Sequence, residues 1–324
     1  MRILESGVGE LIQPPDLDAF REWNREKKSR AMVDKLMTEE EAIARFVTDG
    51  CYLGTELYGT VRAPMSLVRE MIRQGKKDLR LVGQGVLETD LLLGAGVVAE
   101  MDLTYIGLEL YGTSQVFRRA AENGRLKQIV EWSNGALTWR FKAAAMGVPF
   151  LPVRVMLGSD TFKHSAAKVA ECPFTGQKVC LVPALILDVT LMHVHRADRY
   201  GNAQIDGISG FAHEIARASK RLIISAEEII DTEEIRRYPE RTIIPYFLVD
   251  AVVHAPFGSH PGEMAYMYAR DEEQLREWVE ASKTEEGTQA YLNKYIYSLS
   301  NHQEYLEFIG QERLEALKAA MEGR

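Results

Sequence analysis

The groups able to do chemistry are few and scattered along the chain. Glu56 lies in Gly54-Thr55-Glu56-Leu57-Tyr58-Gly59, directly after a short apolar run at 51–54. A carboxylate at a strand end beside glycines can act as a nucleophile or base; an exposed loop acid is the plainer reading. Arg62 precedes Pro64, where a guanidinium can bind a carboxylate or phosphate or face solvent. His193 and His195 stand two apart on an expected strand and so share a face. No third ligand lies nearby, so a structural or interface role is favoured over a metal. His260, in Phe257-Gly258-Ser259-His260-Pro261, can reach a site or cap a turn. Cys172 and Cys180 match no zinc-site spacing. With Cys51 they read as ordinary thiols of a reducing compartment.

Several reaction classes are set aside by missing motifs. Gly83-Gln84-Gly85 lacks the third glycine of a dinucleotide fingerprint, and no Gly-Lys-Ser/Thr element occurs. There is no Gly-x-Ser-x-Gly elbow and no His-Glu-x-x-His helix. The 324 residues are 46% hydrophobic and 27% charged, with net charge −8. That composition is globular and argues against a generic nucleic-acid surface. No signal-peptide core opens the chain and no run approaches membrane-spanning length. The expectation is a cytoplasmic protein with no membrane or nucleic-acid partner, no metal and no bound cofactor.

The elements that must position these groups follow from periodicity. Residues 1–37 are a polar, charged N-terminal extension with one short helix after Pro14-Pro15, and residues 38–324 form the main domain. The extension's charge run Arg25-Glu26-Lys27-Lys28-Ser29-Arg30 reads as a solvated face or docking arm. Thr38 and Glu41 have capping-box spacing ahead of Ala42, Ile43 and Phe46. Strands are expected at 51–54, 79–83, 102–108, 126–130, 150–156, 179–182, 188–195, 222–225 and 247–254. Helices are expected from Pro64 to Gly75, over 88–94, from a Thr113 cap to Asn123, and from Ser133 or Asn134 to a stop at Gly147. Residues 158–177 read as a loop and 227–237 as a charged helical patch. Residues 271–321 are helical and expected on one face of the sheet. Alternating strands and helices predict an α/β fold with a central, mostly parallel sheet covered on both faces and a helical C-terminal segment. Ligands of such sheets bind beyond the carboxyl ends of the strands. That places the site in the glycine loops after residues 54 and 83.

From residue 38 onward, the motifs resemble the A (alpha) chains of family I coenzyme A transferases, most closely the glutaconate enzymes. They begin with Asp49-Gly50, the glycine loop ending Arg62-x-Pro64, and Lys77-Asp78-Leu79. Ala143-Ala144-Ala145-x-Gly147-x-Pro149-Phe150-Leu151-Pro152 and Gly158-Ser159 follow. Asp198-x-x-Gly201-Asn202, Glu227-Glu228-Ile229-Ile230, Val249-Asp250-Ala251 and Gly258-Ser259-His260-Pro261 come next. Lys283-Thr284 and His302-x-Glu304-Tyr305-Leu306 close the series. The resemblance implies a B (beta) subunit partner in an (αβ)2 or (αβ)4 assembly, with an acyl-coenzyme A thioester and a carboxylic acid as substrates. It implies that the nucleophilic glutamate lies on the partner and passes the coenzyme A through a glutamyl thioester. This chain would then line the acyl pocket, with Gly54, Thr55, Glu56, Tyr58, Arg62, Gln84, Gly85, Ser133 and Asn134 as substrate-binding candidates. Glu56 becomes a specificity or polarising group, the one possible catalytic residue. The loops depart from the family pattern: Gly54-Thr55-Glu56-Leu57-Tyr58 replaces a stretch with two glycines and a phenylalanine, and Gly83-Gln84-Gly85-Val86-Leu87-Glu88 is less glycine-rich. Related ring-opening hydrolases and decarboxylases provide an alternative reading. In the hydrolases a glutamate is expected where this chain has Asn134, with Glu56 or Glu109 as spatial substitutes.

Overall fold

Short buried runs, each followed by a helix, build the main sheet. The computed structural model describes residues 2–55 and 59–322. In chain order its strands are β1 (Ile3–Ser6), β2 (Tyr52–Thr55), β3 (Leu79–Gly85), β4 (Val98–Ile106), β5 (Gln128–Glu131), β6 (Phe150–Val153) and β7 (Lys168–Glu171). After them come β8 (Lys178–Pro183), β9 (Leu187–Ala197), β10 (Ala203–Gln204), β11 (Ser219–Ile229), β12 (Thr242–Ile244) and β13 (Ala251–His254). β13, β11, β9, β2, β3, β4 and β5 lie side by side in that order, each neighbouring pair parallel. β9 pairs with β2 only through Leu191 and runs on to Ala197, where β10 and β12 extend the sheet antiparallel.

Alternation along the strands feeds two cores. Leu53, Leu81 and Met101 point into one, covered by helices Glu39–Phe46, Met65–Arg73 and Leu87–Gly94. Tyr52, Val82, Met192 and Val194 point into the other, against helices Asn134–Met146 and Ala212–Arg217. The expected parallel sheet with helices on both faces is therefore present. Thr38 and Glu41 form the reciprocal capping box, at 3.0 and 3.1 Å, a device worth about 1 kcal/mol. Ser133 caps the alanine-rich helix, which Gly147 ends with φ of 70°.

Other expectations are corrected. Residues 158–177 hold helix Asp160–His164 and β7 rather than a bare loop. β7 pairs with β1 and β8 in a second sheet, ordered β1-β7-β8-β6 and antiparallel throughout. Its partner β1 lies far away in sequence, so no local pattern announces the pairing. The charged patch at 227–237 is strand as far as Ile229, and only Thr232–Arg237 is helical. Ser114, not Thr113, caps helix Gln115–Glu122. The expected strand at 247–254 begins only at Ala251, because Tyr246–Leu248 turn in a 3-10 helix after Pro245. The C-terminal segment is helical, but it packs chiefly on helices Met65–Arg73 and Leu87–Gly94, a layer outside the sheet. Trp278 Nε1 donates to Asp90 Oδ2 at 3.1 Å, and the Arg69 guanidinium stacks 3.7 Å from the Tyr305 ring. Within the N-terminal charge run Lys28 is buried: its ammonium meets Asp250 at 3.0 Å and the Lys220 carbonyl at 2.8 Å.

Candidate functional site

The carboxyl ends of β2, β3 and β4 open on a cleft of about 440 Å³. Gln84 from β3 and Asn134 from the first turn of helix Asn134–Met146 line it together. Two of the expected site residues, 50 positions apart, thus meet in one place. Gly59, Tyr105, Glu109, Leu110, Glu263 and Arg270 complete much of the wall.

The other expected residues take different places. Glu56 and Tyr58 lie outside the described residues. Gly54 is a packing position: a Cβ there would stand 2.4 Å from Leu187 Cδ1 and 3.1 Å from Ile215 Cδ1. Thr55 is buried at the end of β2, and its hydroxyl has no hydrogen-bond partner among the described residues. Gly85 ends β3 opposite Ile106. Ser133 spends its hydroxyl on the helix cap, accepting from Ala136 N at 3.1 Å. Arg62 is fully buried with φ of 59°, behind the cleft wall. Its backbone N–H donates to the Glu263 carbonyl at 3.0 Å and its Nη2 to the Ile208 carbonyl at 3.2 Å. Arg62 therefore ties together the loops that carry Glu263 and Ile208.

The histidines stabilise the same loops. His193 Nε2 meets Glu227 Oε1 at 2.7 Å and Nδ1 meets Ser225 Oγ at 2.8 Å. Glu227 also accepts from Tyr268 OH at 2.5 Å and Phe257 N at 2.6 Å. His195 Nδ1 accepts from Asp206 N at 3.1 Å, which leaves the proton on Nε2 to donate to the Ala265 carbonyl at 2.8 Å. Both imidazoles hold the loops at 206 and 257–270 from inside the protein. Among the described residues no group of three or more His, Cys, Asp or Glu side chains could hold a metal.

Arg270 and Glu263 carried no signal in the sequence as site residues, and Glu109 entered there only as a spatial substitute. Arg270 Nε donates to Glu272 Oε1 at 2.7 Å, and the other oxygen of Glu272 accepts from Tyr111 OH. This series of hydrogen bonds aims Arg270 and holds its charge. Burial and the Glu272 carboxylate push the Tyr111 phenol up to about 12, while the Tyr111 and Arg270 hydrogen bonds hold Glu272 below the usual carboxylate range. Glu109 sits in the left-handed region at φ 52°. Its Oε1 lies 3.5 Å from where a Cβ on Gly59 would be, so the two loops meet closely. Such strain in a non-glycine residue persists where the surroundings enforce it, and it concentrates at functional sites. Behind the wall, burial raises Glu88 to about 7, and its Oε2 has no partner among the described residues. Asp90, in the same helix, is raised to about 6 by burial while accepting from Ser114 and Trp278. The cleft thus offers amides, a fixed guanidinium and carboxylates at the amino end of a 13-residue helix, where partial positive charge gathers.

Residues 36–255 match the sequence profile of the family described as Coenzyme A transferase. The chain belongs to the coenzyme A transferase family. It is 35% identical to the A chain of glutaconate CoA-transferase from Acidaminococcus fermentans, over 88% of this chain and 95% of the relative. The crystal structure of that glutaconate enzyme superposes with a TM-score of 0.84 at 34% identity, covering 88% of this chain and 95% of the other. The A chain of 3-oxoadipate CoA-transferase from Pseudomonas knackmussii is 36% identical, over 84% of this chain and 96% of the relative. The IpdA subunit of a Mycobacterium tuberculosis cholesterol ring-cleaving hydrolase is 30% identical, over 82% and 94% respectively. Within this coenzyme A transferase chain no described helix is long and apolar enough to cross a membrane.

Proposed function

We propose that the chain is the A (alpha) component of a heteromeric acyl-coenzyme A:carboxylate coenzyme A transferase, working with a B (beta) subunit in an (αβ)2 or (αβ)4 assembly in the cytoplasm. The observation that carries this reading is the likeness to the corresponding chains of two transferases over nearly their whole lengths. The cleft at the strand ends agrees with it, because open parallel sheets bind ligands there.

In this reaction a glutamate carboxylate of the partner chain attacks the acyl-coenzyme A thioester, giving an acyl anhydride and coenzyme A thiolate. The thiolate attacks the glutamyl carbonyl of the anhydride, releasing the free acid and leaving a glutamyl thioester. The acceptor carboxylate collects the coenzyme A through the same steps reversed. This chain's residues bind and polarise the acyl group. The Gln84 and Asn134 amides and the helix amino end face charge that develops on the acyl oxygen. Arg270 fits a carboxylate, whether on the acceptor acid or at the far end of a diacid.

A second reading, hydrolysis or carbon–carbon cleavage of a coenzyme A thioester, is favoured by one observation. Glu109 brings a carboxylate of this chain into the cleft beside Asn134. Co-expression with the B subunit, incubation with acyl-coenzyme A, and trapping with borohydride or hydroxylamine separate the two. A trapped glutamyl thioester on the partner is expected. Free acid or a cleaved product without any trapped partner would overturn the transferase assignment.

A further inference from the structure

A second cleft lies at the opposite, amino end of the parallel sheet, where Arg217 precedes β11 and Leu248 precedes β13. It has two lobes, of about 430 and 510 Å³, that share Asn24, Arg30, Ala145 and Arg217. Each lobe is within the size range of small-molecule sites, about 300–1,000 Å³. The lobes differ in chemistry. One is walled by Tyr246 and Phe247; the other by Arg21 and Arg25. Lys28 stands in the aromatic lobe. Five cationic side chains therefore face a space whose lining includes no Asp or Glu among the described residues, on a chain of net charge −8.

The cations are not equivalent. Lys28 is committed to Asp250, and Arg25 and Arg21 have exposed partners in Glu26 and Asp18. Arg30 and Arg217, the two shared by both lobes, make no ion pair among the described residues. Arg217 donates one hydrogen bond to the His213 carbonyl at 3.0 Å, and Arg30 one to the Asn24 carbonyl at 3.3 Å. The rest of each guanidinium fork is unused, and planar forks match phosphate oxygens in pairs. In the neighbouring lobe Phe247 is 42% exposed and meets Tyr246 edge-on, with ring centroids 5.7 Å apart. A flat ring can lie on that exposed face.

We propose that this groove binds a nucleoside di- or triphosphate, with the base in the Tyr246–Phe247 lobe and the phosphates on Arg30 and Arg217, extending toward Arg21 and Arg25. The order of chemistry along the groove, ring surface first and unpaired guanidinium groups next, is that of a nucleotide. Because the groove opens at the end of the sheet away from the acyl cleft, its occupation is separable from acyl transfer. The same phosphorylated ring occurs in free nucleotides and at one end of coenzyme A.

Calorimetric titration of the full chain, alone and with its B subunit, tests this with ADP, pyrophosphate and adenosine as probes. ADP is expected to bind most tightly and adenosine most weakly, with affinity falling as salt is raised. Arg30→Gln with Arg217→Gln should weaken ADP and pyrophosphate by about tenfold or more, the loss expected for two charge-assisted contacts. Phe247→Ala should weaken ADP and leave pyrophosphate unchanged. Acyl-transfer turnover should stay at the wild-type level in both variants, which also shows that they fold. Competition by desulfo-coenzyme A against ADP tells the coenzyme's nucleotide end from a free nucleotide. Absence of ADP and pyrophosphate binding, or an arginine double variant that binds like the wild type, overturns the proposal.

Discussion

The Asp102 cluster inside the sheet and the cleft at its carboxyl end are built from the same kinds of side chain and do opposite things. Asp102, in the middle of β4, is fully buried. It meets Arg140 at 3.0 Å, accepts from Trp132 Nε1 at 2.6 Å and accepts from Tyr52 OH. Arg140 also stacks on Trp132, 3.9 Å from the ring, and donates to the Pro183 carbonyl. Burial and the Asp102 charge push the Tyr52 phenol well above its ordinary value, so it stays a donor. The charges answer each other, although Arg140 Nη1 makes only the ion-pair contact and has no hydrogen-bond partner among the described residues. In the cleft Glu109, Glu263, Gln84, Asn134 and Arg270 converge on open space instead. A charge-paired network closed in the core fixes the helix Asn134–Met146 against the sheet; the groups at the end of that helix line an open cleft.

The contrast is broken most severely at Asp102. In Asp102→Asn the side chain keeps its shape but leaves the buried Arg140 charge uncompensated. Removing one partner of a buried pair costs about 3–5 kcal/mol. Urea unfolding should show that loss as a lowered midpoint with an unchanged slope. Glu109→Gln, its counterpart in the cleft, should shift stability by no more than about 0.5 kcal/mol, as for other substitutions away from packed networks. Equal losses at the two positions would erase the distinction.

A second test uses acid. His302 Nδ1 accepts from Arg69 Nη2 at 3.1 Å, so its proton lies on Nε2, which donates to the Pro256 carbonyl at 2.8 Å. Burial and the Arg69 charge hold it well below the ordinary histidine value. His195, facing Asp206, Arg62 and His193, and His260, facing Asp271, Tyr305, Arg69 and Arg313, are also lowered, chiefly by burial. Unfolded histidines take up protons near pH 6.5 while these folded ones do not. The stability they contribute is therefore complete above about pH 6.5 and falls as the pH drops toward their folded values. Between pH 6.5 and 5.5 stability should fall, by at most about 1 kcal/mol per histidine and most for His302, whose shift is the strongest of the three. Glu88 and Asp90, raised to about 7 and about 6, take up protons in the folded state over the same interval and oppose this loss. The test is therefore made in Glu88→Gln with Asp90→Asn, where a urea midpoint that stays flat or rises as the pH drops would refute the neutral assignments. Arg270 in the cleft, raised by its hydrogen bond to Glu272, stays charged throughout.

Much of the fold was legible because long elements carry strong periodicity. Thr38, Glu41, Ser133 and Gly147 marked helix ends by chemistry that works locally. Gln84 was expected from the glycine loop at the end of its strand and Asn134 from the resemblance, and the two line one cleft at the carboxyl end of the sheet, where parallel sheets bind ligands. Arg270 and Glu263 were not expected, and nothing local to Glu109 placed it in the cleft. Their places depend on contacts remote in sequence: Glu263 N donates to the Thr60 carbonyl at 3.0 Å, and Arg270 is aimed by Glu272 and Tyr111. Arg62 read as a loop cation because proximity to Pro64 says nothing about burial. β10, with two residues, and β1, whose partner is β7, lack any pattern that periodicity could detect.

The finest comparison lies in one residue of the cleft. Glu109 holds φ at 52°, a conformation that costs a side-chain-bearing residue about 1–2 kcal/mol. Glycine adopts it freely, though it adds freedom to the unfolded chain worth about 0.5–1 kcal/mol. Glu109→Gly should therefore stabilise the protein by about 0.5–1 kcal/mol, the opposite sign to Asp102→Asn. The same change deletes the carboxylate that meets Gly59 across the cleft. In the complex with the B subunit, turnover should fall by about tenfold or more, within the span of acid–base and positioning effects. Paired urea unfolding and steady-state rates read both quantities. A variant that gains stability and keeps full turnover would show that the strain at Glu109 serves the loop alone. A gain in stability with lost turnover would mean that the Glu109 side chain, held in place at a cost in backbone strain, serves the reaction.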